Sequence, residues 1–238
     1  MSEGKKELLK KVNDLVKNEE FEKAFEVLQT NKKNDAFLNF EYYKLISDKN
    51  TPVYDPENAR NELNKLYKKK FIPAWYEKAL LFFNGVDDTS RDVDKAIDDF
   101  RKVAVSSIAD NKYAKKEIID SRKRLALIYK DGLSEKDPEE ALRMIKRACE
   151  DKTNLEAFYL TARIYLEEFK DRKDNENRAI EYLQHSAQSG HLESKKLLSK
   201  IYLILSKKYI NEIIDENSED IDSQILADKL SKIDTDLL

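Results

Sequence analysis

Apolar residues along this chain recur at helical spacing rather than in alternation. Counting from Ala96, Ala141 and Ala179, small or apolar residues stand four, seven and eight positions on: Phe100, Val103 and Ala104; Ile145, Ala148 and Cys149; Leu183, Ser186 and Ala187. That spacing gathers side chains on one face of a helix. Ahead of each such stretch lies a second signature, a small residue followed three positions later by an aromatic: Ala79 and Phe82, Ala126 and Tyr129, Ala162 and Tyr165, Ser199 and Tyr202. The small residue permits close approach of two helices. In the first 70 residues Phe40 stands in its place.

Helix starts and stops are written between these stripes. Asp55-Pro56-Glu57-Asn58-Ala59 and Asp137-Pro138-Glu139-Glu140-Ala141 share an aspartate suited to the N-cap, a proline at the first helical position and an acid favourable to the helix dipole. Asp92 to Ala96 and Asn175 to Ala179 are weaker versions in which Asp or Asn accepts the orphan amide bonds, and Glu20 to Ala24 is a degenerate one. Gly85 and Gly132, three positions past Phe82 and Tyr129, are placed to end helices in the left-handed conformation, and Gly190 closes a later one.

The alanines of the five starts, Ala24, Ala59, Ala96, Ala141 and Ala179, lie 35, 37, 45 and 38 residues apart, the period of a helical hairpin. The pattern predicts helix pairs over 5–30, 36–70, 74–105, 112–150 and 155–190, then a capping helix over 192–214. The long interval places about nine extra residues near Val105 to Lys116, where an insertion maps to one face, often the binding face.

Composition narrows the class further. Four glycines and four prolines in 238 residues are too few turn formers for a sandwich, a barrel or a dinucleotide-binding sheet. Charged residues make up 38% and apolar ones 40%, enough for a core if arranged in stripes. The net charge of −3 provides no general attraction to nucleic acid or an acidic membrane. From Glu212 to Leu238 nine acids face two lysines, a net of −7, which leaves +4 on residues 1–211. An acidic tail over 216–238, with an apolar stripe of Ile221, Ile225, Leu226, Leu230 and Ile233, thus follows a mildly basic body. One cysteine, no uninterrupted apolar run in Met1 to Val16 and no long apolar segment predict a soluble cytoplasmic protein.

Ala126-x-x-Tyr129-x-x-Gly132, followed by Asp137, Ala141 and Ala148, resembles the Sel-one-like repeat (SLR), a cousin of the tetratricopeptide repeat. The resemblance covers most of the chain and is best over Tyr113 to Gly190. It implies an all-α, right-handed α-solenoid of about five helix-turn-helix repeats with a C-terminal capping helix, used as an adaptor or scaffold. It further implies that the first helices line a concave groove. Carried onto this chain, the groove positions are Tyr76 and Leu80, Lys123 and Leu127, Tyr159 and Arg163, Lys196 and Lys200, with Phe83, Lys130 and Leu166 one turn on. Aromatics and cations there suit a protein or peptide with acidic and apolar side chains. The acidic tail has the composition of a ligand for the same groove. A neutralising immunity or inhibitor protein is the alternative within this class.

Catalytic chemistry is sparse. Gly4, Gly85, Gly132 and Gly190 are isolated, so no phosphate-cradling loop is present. His185 and His191 straddle a helix end without a cysteine nearby to complete a zinc set, and Cys149 falls on an apolar stripe. Neither a metal nor another cofactor is expected, and the chain reads as a non-enzyme. Basic residues at Lys68-Lys69-Lys70 and from Lys112 through Arg122-Lys123-Arg124 to Lys130, with Tyr113 and Tyr129, raise an RNA-binding alternative. The interleaved acids Glu117 and Asp120 count against it.

Overall fold

The structure, a computed structural model, describes residues 3–32, 35–86, 89–169 and 174–216. Among these the regular elements are eleven α-helices and one short 3-10 turn. They are α1 (Glu3–Lys17), α2 (Phe21–Asn31), α3 (Ala36–Ser47), α4 (Pro56–Lys68), α5 (Ile72–Asn84), α6 (Val93–Ala104), α7 (Lys115–Asp131), α8 (Pro138–Ala148), α9 (Leu155–Glu168), α10 (Asn175–Gln188) and α11 (Leu192–Glu216). The chain divides into two compact units, Met1–Leu125 and Ala126–Leu238. The apolar stripe from Ile221 to Ile233 in the acidic tail lies outside the described residues.

In the first unit successive helices pack on one another, α1 on α2, α2 on α3, α3 on α4, α4 on α5 and α5 on α6. Val12, Ala24, Leu28, Tyr42, Ile46, Leu63 and Leu66 form one continuous core, and Ile72, Val103, Ala114 and Ile118 a second cluster. In the second unit α8 packs on α9, α9 on α10 and α10 on α11. Its core includes Leu142, Met144, Ile145, Phe158, Ile164, Tyr165 and Leu183. Local contacts between chain neighbours are what a helical repeat uses in place of one central core.

The hairpins close by a shared device. The N–H of the capping aspartate donates back to the preceding helix: Asp55 to the Ile46 carbonyl (2.8 Å), Asp92 to Phe82 (2.9 Å) and Asp137 to Tyr129 (3.0 Å). Each aspartate side chain then accepts the N–H three residues on, from Asn58, Lys95 and Glu140. These bonds make Ile46, Phe82 and Tyr129 equivalent. The small-residue position of the first full hairpin is therefore occupied by Tyr43, which is buried, and not by Phe40. Asn175 also departs from expectation. Its side chain is buried and donates to the Phe169 carbonyl (2.8 Å), while Asp174, at φ 69°, precedes the helix without a side-chain cap bond.

Helix ends follow one geometry as well. An N–H five residues on returns to a helix carbonyl at Glu20 to Leu15, Phe71 to Leu66, Leu133 to Ile128 and His191 to Ser186, the Schellman closure. The left-handed residue that precedes the donor is Gly132 or Gly190 in two cases, but Glu19 (φ 60°) and Lys70 (φ 59°) in the others. Glycine therefore marked only some of the stops.

The insertion before α7 forms the turn Lys112–Ala114. Tyr113 stacks on Phe71 at 5.8 Å between centroids and meets Phe37 edge-on at 5.0 Å, so the extra residues pack onto the first unit's own aromatic cluster.

Candidate partner-binding surface

In the first unit, Tyr76 and Leu80 project from α5 at half-buried positions. The Tyr76 hydroxyl donates to Asp120 Oδ2 of α7 at 2.5 Å, and its ring lies 6.0 Å from that of Phe100. Arg124 Nε donates to the same Asp120 oxygen at 2.5 Å, and Lys123 Nζ lies 3.9 Å from the other oxygen. Burial pushes the Asp120 carboxyl up, but the bonds from Tyr76 and Arg124 outweigh it and hold the group below its ordinary value. Burial, then the Asp120 hydrogen bond, drives the Tyr76 phenol above its own. Phe83 meets Phe100 edge-on at 6.2 Å, with the Arg91 guanidinium 5.9 Å from its ring. Tyr76 and Phe83 thus spend part of their surface on internal packing.

The second unit brings Lys130 of α7 and Arg163 of α9 to one carboxylate. Glu167 accepts Arg163 Nε at 2.6 Å and lies 2.8 Å from Lys130 Nζ, which also reaches Asp131 at 3.2 Å. Burial raises the Glu167 carboxyl, and the two cations lower it by more. The Glu167 bond is the main reason the Lys130 ammonium is held above its usual range. Tyr159 lies half-buried with its ring 5.4 Å from His191, and Leu127 is exposed. Leu166 and Lys200 are half-buried, while exposed Lys196 pairs with Glu193 at 2.8 Å. The sequence reading identified the cations and saw Asp120 only as an acid interleaved with them, not as the partner of Tyr76 and Arg124; Glu167 it did not name. Their signal was spacing: Asp120 with Arg124, and Arg163 with Glu167, stand four apart on a helix.

The basic run before Lys130 is not a row of available charges. Arg122 is fully buried, donating from Nε to the Ala104 carbonyl (3.0 Å) and from Nη2 to Ser106 (3.2 Å), where it caps the end of α6. Tyr129 is buried too, so neither it nor Arg122 is presented to a nucleic acid.

Cys149, His185 and His191 each make contacts within the fold. Burial pushes the Cys149 thiol up to about 11, and its Sγ lies 3.4 Å from Thr161 Oγ1, so the thiolate needed for attack is disfavoured. His185 stacks on Phe158 at 4.0 Å. His191 Nδ1 accepts the Ser194 N–H (3.2 Å) and lies 2.8 Å from the Ser194 hydroxyl, serving as the N-terminal cap of α11. No group of three metal-ligating side chains occurs among the described residues. Nor is any described helix long and apolar enough to cross a membrane.

Short helical hairpins in sequence, closed by repeated caps, define an all-α solenoid of helical repeats. Solved structures with the same arrangement specify which. A Sel1 repeat protein from Oxalobacter formigenes is 21% identical over 82% of this chain and 75% of that chain, with a TM-score of 0.64. A protective antigen of uropathogenic Escherichia coli strains that displays an SLR fold is 17% identical over 84% of this chain, with a TM-score of 0.59; this chain spans 42% of its length. The chain therefore has the Sel1-like repeat fold. No family model and no curated protein matches it.

Proposed function

We propose that this chain is a non-catalytic protein-interaction module, an adaptor or scaffold, that takes a peptide or protein partner on the inner faces of its first helices. The shared fold supports the class, because solenoids of this kind present extended binding surfaces built from successive repeats. The observation that carries the reading is in the second unit. There α7 and α9 hold Leu127, Lys130, Tyr159 and Arg163 at half-exposed or exposed positions, with both cations fixed on Glu167. An ordered aromatic beside an ordered arginine is the residue pair most enriched in binding hot spots. Because Lys130 and Arg163 share a carboxylate and Lys196 has Glu193, apolar contact and hydrogen bonding outweigh net positive charge on this face.

Affinity capture from a lysate of the source cells tests this, with the full chain and a Tyr159→Ala, Arg163→Ala variant as baits. A protein recovered by the wild type and depleted at least tenfold with the variant is the expected result. Equal recovery by both baits, or recovery of nucleic acid alone, overturns the reading. Several such partners mark an adaptor; one very tight partner marks a neutraliser.

A further inference from the structure

Position 78 breaks the repeat. Residues four before the equivalent positions Ile46, Tyr129 and Tyr165 are Tyr42, Leu125 and Thr161, all buried, whereas the residue four before Phe82 is Lys78, which is half-buried. Its side chain lines a cleft of about 570 Å³ within the first unit, to which Leu63 of α4 and Leu81 and Phe82 of α5 give an apolar lining. A smaller cleft of about 270 Å³, bordered by α6, shares Lys78 and Phe82 with it.

Two lysines approach the ring of Tyr67 here, Lys78 at 5.0 Å and Lys102 at 5.2 Å, and their surroundings treat the ammonium in opposite ways. Lys102 Nζ donates to Asp99 Oδ1 at 2.6 Å and to the Tyr67 hydroxyl at 2.7 Å. Burial pushes the Lys102 ammonium down, but those bonds outweigh it and raise it to about 12, so this lysine stays protonated. Lys78 Nζ instead donates to Asn64 Oδ1, a neutral acceptor, at 2.6 Å. Burial lowers its ammonium; the Asp99 charge opposes this, the Lys102 charge adds to it, and the net direction is down. Among the described lysines it alone is held below its ordinary value. Lys78 therefore carries a larger share of neutral amine, the form that attacks a carbonyl carbon.

The same surroundings favour a product without charge. A half-buried ammonium is disfavoured beside apolar side chains, whereas an amide at Nζ is neutral and its N–H can keep the bond to Asn64 Oδ1. We infer that Lys78 is an acylation site, taking a short aliphatic acyl group from an acyl thioester and seating its chain in the cleft against Leu63, Leu81 and Phe82. The neutral Nζ attacks the thioester carbonyl carbon, so that an N–C bond forms and the C–S bond breaks. The thiolate leaves and takes up the proton that the nitrogen loses, giving an amide and a thiol with no change of oxidation state. A cleft of about 570 Å³ lies within the range that small-molecule pockets occupy. Acylation there exchanges a charge for an apolar plug, and it uses none of the inner-face residues of the second unit.

The test is reaction of the folded full chain with S-hexanoyl-N-acetylcysteamine at pH 8, stopped at low conversion. Digestion after glutamate and tandem mass spectrometry then give a rate for each lysine. Lys78 is expected to acylate at least fivefold faster than the median lysine of the chain, and Lys102 more slowly than that median. The preference for Lys78 is expected to vanish in urea at a concentration that unfolds the chain, and to be at least twofold smaller with the S-acetyl reagent, whose acyl group has no chain to seat. Lys78 reacting no faster than the median in the folded chain overturns the site. A preference that survives unfolding overturns it as well, since local sequence alone would then account for the reactivity. Equal preference with the hexanoyl and acetyl reagents overturns the seating of the chain in the cleft.

Discussion

Lys70 is the clearest residue whose substitution would improve on the natural choice. It sits at φ 59° in a helix closure where Gly132 and Gly190 serve elsewhere. A left-handed conformation costs a side-chain-bearing residue about 1–2 kcal/mol, against about 0.5–1 kcal/mol for the extra unfolded-state freedom of glycine. Lys70→Gly is therefore expected to stabilise by about 0.5 kcal/mol, read as a higher urea midpoint at unchanged slope. Gly85 runs the other way. At φ 66° an added Cβ would lie 2.9 Å from Arg91 Cβ, so Gly85→Ala is expected to cost about 1–2 kcal/mol. Arg122 is the most consequential side chain on α7. Replacing it with Met leaves the Ala104 and Ser106 carbonyls without its hydrogen bonds in a buried setting, a loss of about 3 kcal/mol. Lys123→Met, next to it and partly exposed, is expected to fall within about 0.5 kcal/mol of wild type in the same denaturation series.

Between elements, the bond from Tyr76 on α5 to Asp120 on α7 is the most specific polar tie in the first unit. Tyr76→Phe is expected to cost about 1–2 kcal/mol at neutral pH, since a hydrogen bond to a charged acceptor is lost. The pH dependence has a definite sign. The folded-state pKa of Asp120 is lowered, so its contribution is present above the unfolded value near 4 and is lost as pH falls through the folded value. The difference between wild type and Tyr76→Phe should shrink below about pH 4, as measured by chemical denaturation at pH 7, 5 and 3. Tyr76 is raised instead, so its contribution is complete below about pH 10 and declines as pH climbs past that value. Small-residue crossings are the other inter-element feature. Ala141 has no exposed surface, and a leucine there overpacks the crossing at a cost of about 1–3 kcal/mol.

At the scale of the whole molecule, stability in a helical repeat is distributed through neighbouring hairpins, and an end helix has support on one side only. α11 shows this. It packs on α10, burying Ser194 and Ile201, while Ser199, Tyr202, Leu203, Tyr209 and Ile213 are exposed. Ser199 and Tyr202 carry the same small-and-aromatic signature as Ala162 and Tyr165, yet only the earlier pair has a following helix, α10, packed over it among the described residues. Native-state hydrogen exchange should find the amides of residues 203–213 opening at least a hundredfold more readily than those of α9, which lies between α8 and α10. Equal protection would mean that α11 is covered on its open face.

Periodicity and caps alone were enough for the class of fold. Apolar spacing, Asp-Pro starts and the return of the same signature every 35 to 45 residues are local properties, and each repeat folds through contacts with its chain neighbours. Ala96, Ala141 and Ala179 could be read as buried contact points because helix phase determines which face is covered, and all three have no exposed surface. Tertiary structure decided what local pattern does not contain. Whether a lysine or arginine is a carboxylate's partner or a buried cap depends on which elements come together around it: Arg122 and Lys123 are neighbours in sequence, yet Arg122 is fully buried on backbone carbonyls and Lys123 is half-buried beside Asp120. Glu19 and Lys70 end helices without glycine, each left-handed beneath a closing backbone bond, at a conformational cost no sequence signature records.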